Sequence, residues 1–257
     1  MSLFFYKYQG TGNDFIIIDN RTKTFPKNDI ALISKLCDRH FGIGADGLIL
    51  LEEDTTTDFK MIYFNADGSQ AMCGNGARCA VAFAKKLNIV NTKTTFTAID
   101  GAHYAEINNN GIVSLQMIDV NDIKVNKESV FAYTGTQHHV QLVKDLENYP
   151  VVKNGSKIRY SYENPGANVN FTEQINSNTF RVRTYEKGVE NETLACGTGV
   201  TAVAIAMYAT KKTTETAINL PVEGGLLEVS FNEDNGNYTN VFLKGPAVCI
   251  FKGEIEL

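Results

Sequence analysis

Apolar and polar positions along the chain fall into two rhythms. Short runs with an apolar residue at every second position mark strands, and longer runs of small apolar residues mark helices. The first half reads as strands at 3–8 and 14–18, a helix at 28–39 ("NDIALISKLCDR"), and strands at 47–52 and 59–64 rich in Ile, Leu, Phe and Tyr. A helix follows "CGNG" (73–76) and runs to Leu87. Next come the alternating segments "TTFTAI", "HYAEIN" and "GIVSLQMI", with hairpin turns at Asp100-Gly101 and Asn109-Asn110-Gly111. The second half repeats the plan. Strands are expected at 138–143, 157–162, 167–172 and 179–186, a helix after "CGTG" (196–199), and strands at 217–220, 225–231, 238–244 and 247–255.

The two helices that follow the cysteine motifs are apolar nearly all round. Ala77, Ala80, Val81, Ala84 and Leu87 make one stripe of the first, with Ala82 and Phe83 opposite. Val200, Val203, Ala204 and Met207 do the same in the second, with Ile205 and Ala206 opposite. Such a helix is buried on most sides, so strands are expected to wrap it. Lys85-Lys86 and Lys211-Lys212 suit the negative end of each helix dipole. The pattern is that of an α+β fold built from a duplicated unit, each half a set of mainly antiparallel strands around one principal helix, with the joint near Asp119–Asn121.

Composition narrows the function. With 257 residues, 43% of them hydrophobic and 21% charged, the chain can bury a large core. A net charge of −5 and scattered lysines argue against nucleic-acid binding. The longest apolar run, near 200–209, is too short for a membrane span, and "MSLFFYKYQG" has no signal-peptide pattern, so a cytoplasmic protein with reduced thiols is expected. The five cysteines are an odd number without a C-x-x-C pair, and histidines number four, so neither a disulfide framework nor a metal site is expected. "GIGADG" (42–47) fits G-x-G-x-x-G but follows a helix and opens a strand, the reverse of a dinucleotide site.

The remaining chemistry sits where the cysteine motifs open their helices. A helix start presents unpaired N–H groups and a partial positive charge, and glycines leave that backbone open to an anion such as a carboxylate. The same field favours thiolate, so Cys73 and Cys196 are candidate bases beside a carboxylate cradle. Two thiols flanking one carboxylate suit inversion of the adjacent carbon, one removing a proton and the other returning one to the opposite face. Cys37, Cys79 and Cys249 sit inside apolar patterns and read as small hydrophobes.

Around these motifs stand "GTGNDF" (10–15), "DRHFGIGADGL" (38–48), "FNADGSQAMCGNGARC" (64–79), "ANVNF" (167–171) and "RTYEKGVENETLACGTG" (183–199). In them the chain resembles the diaminopimelate epimerase family along essentially its whole length. The resemblance implies two pseudo-symmetric β-rich domains, each wrapping a central helix, with the site between them. Residues 1–118 and 119–257 are the two halves, the C-terminal strand being a candidate to complete the first. It implies catalysis without pyridoxal phosphate or metal, on an amino-acid substrate in lysine and peptidoglycan-precursor synthesis, by a cytoplasmic homodimer.

Residue by residue, Cys73 and Cys196 match the catalytic pair, and Gly74, Asn75, Gly197 and Thr198 the amides that bind the reacting carboxylate. Asn13, Asn65 and Asn168 match substrate-binding asparagines, Glu186 a glutamate at the site, and His138 a histidine that helps set thiol protonation. On their own Asn13 and Asn65 read as turn residues, His138 as structural and Glu186 as a surface carboxylate. Three departures concern recognition. Lys187 stands where the family usually has an arginine for the far carboxylate, Thr136 where many members have Asn, and Gly47 where some have Gln. A racemase of another amino acid on the same scaffold is the alternative; a thiol redox pair and a non-catalytic binding domain are the more distant readings.

Overall fold

The computed structural model describes residues 2–163 and 166–257. In chain order its elements are β1 (Ser2–Gly10), β2 (Asn13–Asp19), α1 (Ile30–Cys37), β3 (Gly47–Glu52), β4 (Phe59–Asn65), α2 (Gly74–Lys86), β5 (Lys93–Ala98), β6 (Gly101–Ile107) and β7 (Ile112–Gln116). There follow β8 (Ile123–Val125), β9 (Val130–Tyr133), β10 (Gln137–Leu142), α3 (Val151–Arg159), β11 (Asn168–Asn176), β12 (Thr179–Glu186) and β13 (Asn191–Thr193). The last are α4 (Gly197–Ala209), β14 (Ala217–Val222), β15 (Gly225–Asp234), β16 (Asn237–Pro246) and β17 (Val248–Glu256). The chain divides into two compact units, Met1–Leu115 with Gly245–Leu257, and Gln116–Lys244.

In the first unit β1 pairs antiparallel with both β2 and the C-terminal β17. From β2 the pairing runs parallel to β3, antiparallel to β4, parallel to β5, then antiparallel through β6 to β7. In the second, β9 pairs antiparallel with β8 and β10. From β10 the pairing runs parallel to β11, antiparallel to β12, parallel to β14, then antiparallel through β15 to β16. Apart from the short β13, which pairs antiparallel with β12, the order of pairings is the same in both units. Each repeat also sends its last strand elsewhere: β17, which follows β16, closes the first unit on β1, and β8, which follows β7, closes the second on β9.

Each unit winds its strands about one long helix. α2 touches β1, β2, β3, β4, β6 and β17, and buries Ala77, Cys79, Ala80, Val81, Phe83 and Ala84. α4 touches β8, β9, β10, β11, β12, β14 and β15, and buries every residue from Gly199 to Met207. A second, amphipathic helix packs outside in each unit. α1 sets Ile33, Leu36 and Cys37 against Leu48, Leu50 and Phe64. α3 sets Val151 against Val169, Phe171 and Tyr185.

The strand expected at 157–162 is replaced by the end of α3. Ile158, Tyr160 and Tyr162 alternate, but Val151, Gly155 and Ile158 recur at helical spacing, and burial of that face decides. Gly155 lies so close to Tyr185 that an added Cβ would come 2.4 Å from the tyrosine Cβ. The strand set is also less antiparallel than the sequence pattern implies, since each unit holds two parallel pairings. The Lys211-Lys212 pair lies beyond α4, where Lys211 takes φ +56° and both backbone N–H groups bond back to the helix. Cys249 is exposed rather than interior. Among the described residues no helix is long and apolar enough to cross a membrane.

Candidate active-site residues

α2 and α4 begin in the same way. Cys73 (φ −132°, ψ 114°) and Cys196 (φ −122°, ψ 109°) are extended N-cap residues, each followed by a glycine that opens the helix. Their carbonyls accept the first helical hydrogen bonds, from Ala77 at 2.8 Å and Val200 at 3.0 Å. Cys73 Sγ accepts from the Gly76 N–H at 3.5 Å, the place an N-cap oxygen usually fills. Cys196 Sγ lies 3.6 Å from Thr198 Oγ1. The first-turn N–H groups, Gly74 and Gly197 among them, have no intrahelical carbonyl within reach, which leaves each helix start suited to an anion.

In the first unit Asn13 opens β2 immediately after a turn in which Thr11 and Gly12 take positive φ. Its Nδ2 donates to Asp46 at 2.5 Å, which leaves Oδ1 facing Asn75 Nδ2 at 3.4 Å and Cys73 Sγ at 3.6 Å. Asp46 is itself anchored. Arg39 bridges it to Asp14 with contacts of 2.7 Å to each, and the largely buried Lys7 reaches Asp14 at 2.7 Å and the Gly44 carbonyl. Burial alone would raise the Asp14 pKa, but Arg39 and Lys7 outweigh it and hold the carboxyl below the usual carboxylate range. Asn65 ends β4 in a turn, accepting from Tyr63 Oη at 2.9 Å and donating to Ser69 at 3.0 Å. Opposite it, Gly47 has no room for a side chain, since an added Cβ would fall 2.4 Å from the Tyr63 ring. Here Tyr63 fills the space beside Gly47.

In the second unit His138 on β10 lies opposite Asn168 on β11. The wholly buried imidazole receives a hydrogen bond at Nδ1 from Asn170 Nδ2 at 3.0 Å. Burial, with a smaller contribution from the Lys187 charge, pushes its pKa down to about 3. Asn168 Oδ1 accepts the Lys187 backbone N–H at 2.8 Å, so it fixes the chain at the end of β12. Glu186 accepts from Thr193 Oγ1 at 2.9 Å. Thr134 Oγ1 donates to the Thr198 carbonyl at 2.8 Å, and the Thr136 carbonyl accepts from the Thr134 N–H at 3.1 Å, so the turn holding Thr136 is tied to the start of α4.

The structure thus joins Asn13, Cys73 and Asn75 by direct contacts in one unit and places Cys196, Gly197 and Thr198 at one helix start in the other. His138, Asn168, Glu186 and Lys187 belong to the second unit as well, on β10–β12 and just past it. Asp46 and Asn170, which orient Asn13 and His138, escaped the sequence reading. Both stand in motifs quoted for the resemblance, and the spacing Asn168-Val169-Asn170 puts two asparagines on one strand face. The other buried thiols fit the role of small hydrophobes. Burial pushes Cys37 up to about 11 and raises Cys79 further, holding both as thiols.

A family model described as diaminopimelate epimerase matches residues 5–121 and 130–250. The diaminopimelate epimerase of Flavobacterium psychrophilum is 60% identical over 253 residues, covering 97% of this chain and 99% of its own. That of Aquifex aeolicus is 40% identical over 276 residues, covering 98% and 97%. Among solved structures, a Bacillus anthracis phenazine biosynthesis protein of the PhzF family superposes with a TM-score of 0.80 at 14% identity over the whole of both chains. A hydroxyproline epimerase from Agrobacterium vitis does so with a TM-score of 0.71 at 14% identity, covering 100% of this chain and 93% of that one. At such identity the two structures speak for the fold alone, an α+β architecture with two repeated domains.

Proposed function

The chain belongs to the diaminopimelate epimerase family, and from that membership we propose that it interconverts LL- and meso-diaminopimelate by acid–base work of Cys73 and Cys196, without pyridoxal phosphate. It is an isomerase. The observation that carries the mechanism is the matched pair of helix starts: the same extended cysteine cap, followed by the same opening glycine, at corresponding places of the two repeats.

In one direction a thiolate removes the α-proton, and the electron pair passes into the adjacent carboxylate as an enediolate. The N–H groups of Gly74, Asn75, Gly197 and Thr198 are fixed donors for that growing charge. The other cysteine, as thiol, gives its proton to the opposite face. The two cysteines end with their protonation exchanged, which is the starting state for the reverse reaction. In the same proposal Asn13, Asn65, Asn168 and Lys187 hold the remainder of the substrate, and Glu186 and His138 set the hydrogen bonding around the thiols. Lysine in place of the usual arginine keeps the charge for the far carboxylate but offers it at a single point.

The departures at Lys187, Thr136 and Gly47, the last with Tyr63 occupying the adjacent space, favour one competing reading: a different amino acid as substrate. Chiral separation of products from LL-diaminopimelate and from a panel of single amino acids decides between them. Conversion of LL- to meso-diaminopimelate is expected. Turnover of another amino acid, with none of diaminopimelate, would overturn the substrate assignment. The proposal also makes the enzyme a cytoplasmic homodimer, for which sedimentation should give twice the chain mass.

A further inference from the structure

Asn170 has an orientation that can be read without ambiguity. Its Nδ2 lies 3.1 Å from the His139 backbone carbonyl, which can only accept, and its Oδ1 receives the Thr184 hydroxyl at 3.0 Å. The second hydrogen of Nδ2 is therefore the one directed at His138 Nδ1, 3.0 Å away. An N–H donor aimed at a ring nitrogen requires that nitrogen to carry its lone pair. A neutral imidazole with a bare Nδ1 has its proton on Nε2. Here Nε2 is buried, and no protein group among the described residues bonds to it.

The position of Asn170 connects this arrangement to the thiol. Gly199, in the first turn of α4, lies against it: an added Cβ would be 2.3 Å from Asn170 Oδ1 and 3.3 Å from Cys196 Sγ. The register explains the fit. Asn170 pairs with Thr184 on β12 and sits two residues beyond Asn168, the residue opposite His138. The groups around the ring agree on its charge. β9 offers Ala132, β11 offers two neutral asparagines, and the Lys187 charge opposes a cation. His139 points to the other face of β10, where its Nδ1 meets Tyr162 Oη at 2.8 Å.

We propose that Asn170 is a positioning residue of this enzyme: it holds His138 as the neutral tautomer with the proton on Nε2, so that His138 acts as a fixed hydrogen-bond donor and never as an acid or base. The bearing on catalysis rests on the epimerase reading above, whereas the tautomer does not. A second proton on Nδ1 would set two donors against each other inside the protein, with no water to relieve them. The pH dependence of the reaction then belongs to the thiols, and the histidine contributes direction without titrating.

The test is a long-range proton–nitrogen correlation spectrum of protein labelled with nitrogen-15 in histidine, with His138 assigned by comparison with His138→Gln. The expected spectrum shows an unprotonated Nδ1 and a protonated Nε2 that do not change from about pH 5 to about pH 9, the range over which an ordinary histidine titrates. A protonated Nδ1, or a titration within that range, would overturn the proposal. Asn170→Asp supplies the kinetic arm. A carboxylate there accepts from Nδ1–H, moves the proton off Nε2 and makes the cation accessible. On diaminopimelate kcat/KM should then fall on the order of 100-fold as pH rises through a new ionisation, the loss typical of removing one aimed donor. A variant with the wild-type pH profile would also overturn it. Should Asn170→Asp fail to fold, the wild-type spectrum decides alone. That spectrum needs no substrate, so a chain inactive on diaminopimelate would refute the epimerase reading while leaving the tautomer result intact.

Discussion

At the scale of single residues, two of the candidate site residues are oriented by partners far along the chain. Asn13 is aimed by Asp46, 33 positions later, and His138 by Asn170, 32 positions later. Both couplings cross a parallel strand pairing, β2 to β3 and β10 to β11, whose register no local pattern encodes. This is why the sequence offered the cysteines, glycines and asparagines of the candidate site but not what holds them. Asp46→Ala should release the Asn13 amide and lower kcat/KM between about 10- and 100-fold, as loss of positioning does. Because Asp46 is exposed, the melting temperature should move little; unchanged kinetics would remove Asp46 from the account. The buried His138 also makes a stability prediction. Its folded pKa of about 3 lies below the ordinary 6.5, so the unfolded chain binds the proton first. The contribution is complete above about pH 6.5 and is lost as pH falls toward about 3. His139, also lowered by burial, adds in the same sense. His138→Gln should flatten the fall of melting temperature across that window.

At the scale of elements, legibility followed burial. α2 and α4 could be read because small apolar residues on nearly every face leave no alternative to a buried helix. α3 could not, because Ile158 begins an alternating pattern with Tyr160 and Tyr162 that runs past the helix end, while the buried face shows only Val151, Gly155 and the half-buried Ile158. The three-residue β8 and β13 carry too few positions for any period to register. The parallel pairings were hidden for another reason: strand sequences alone do not state direction. Two glycines hold helices in place by absence of a side chain. Gly155→Ala drives a methyl into Tyr185 and should destabilise the second unit by roughly 1–3 kcal/mol in denaturant titration, the usual cost of overpacking. Gly199→Ala meets Asn170 and Cys196 instead, so it should reduce activity more than stability. Equal loss of both would mean that the helix start is only scaffolding.

At the scale of the molecule, the duplication is visible in sequence as a repeated cysteine motif and in structure as one order of strand pairings used twice. The terminal strands cross, a pairing for which the sequence offered the C-terminal strand only as a candidate: β17 pairs with β1 in the unit that begins the chain. Phe251 meets Phe5 edge-on at 6.0 Å, and Gly253 lies against the same ring. Deleting 248–257 should therefore speed amide hydrogen exchange in β1 and β2 while α4 stays protected. Uniform loss of protection would contradict the division into two units. In the proposed mechanism the duplication matters because stereoinversion needs a proton acceptor on one face of the carbon and a donor on the other, and each repeat supplies one cysteine-capped helix. The most direct test of that claim is turnover of LL-diaminopimelate in deuterium oxide, followed by mass analysis of the separated isomers. The account predicts deuterium at the inverted carbon of the meso product, little in recovered substrate, and a loss of on the order of 10²- to 10⁴-fold in both Cys73→Ser and Cys196→Ser. Retention of α-proton exchange at the wild-type rate in both single variants would contradict it.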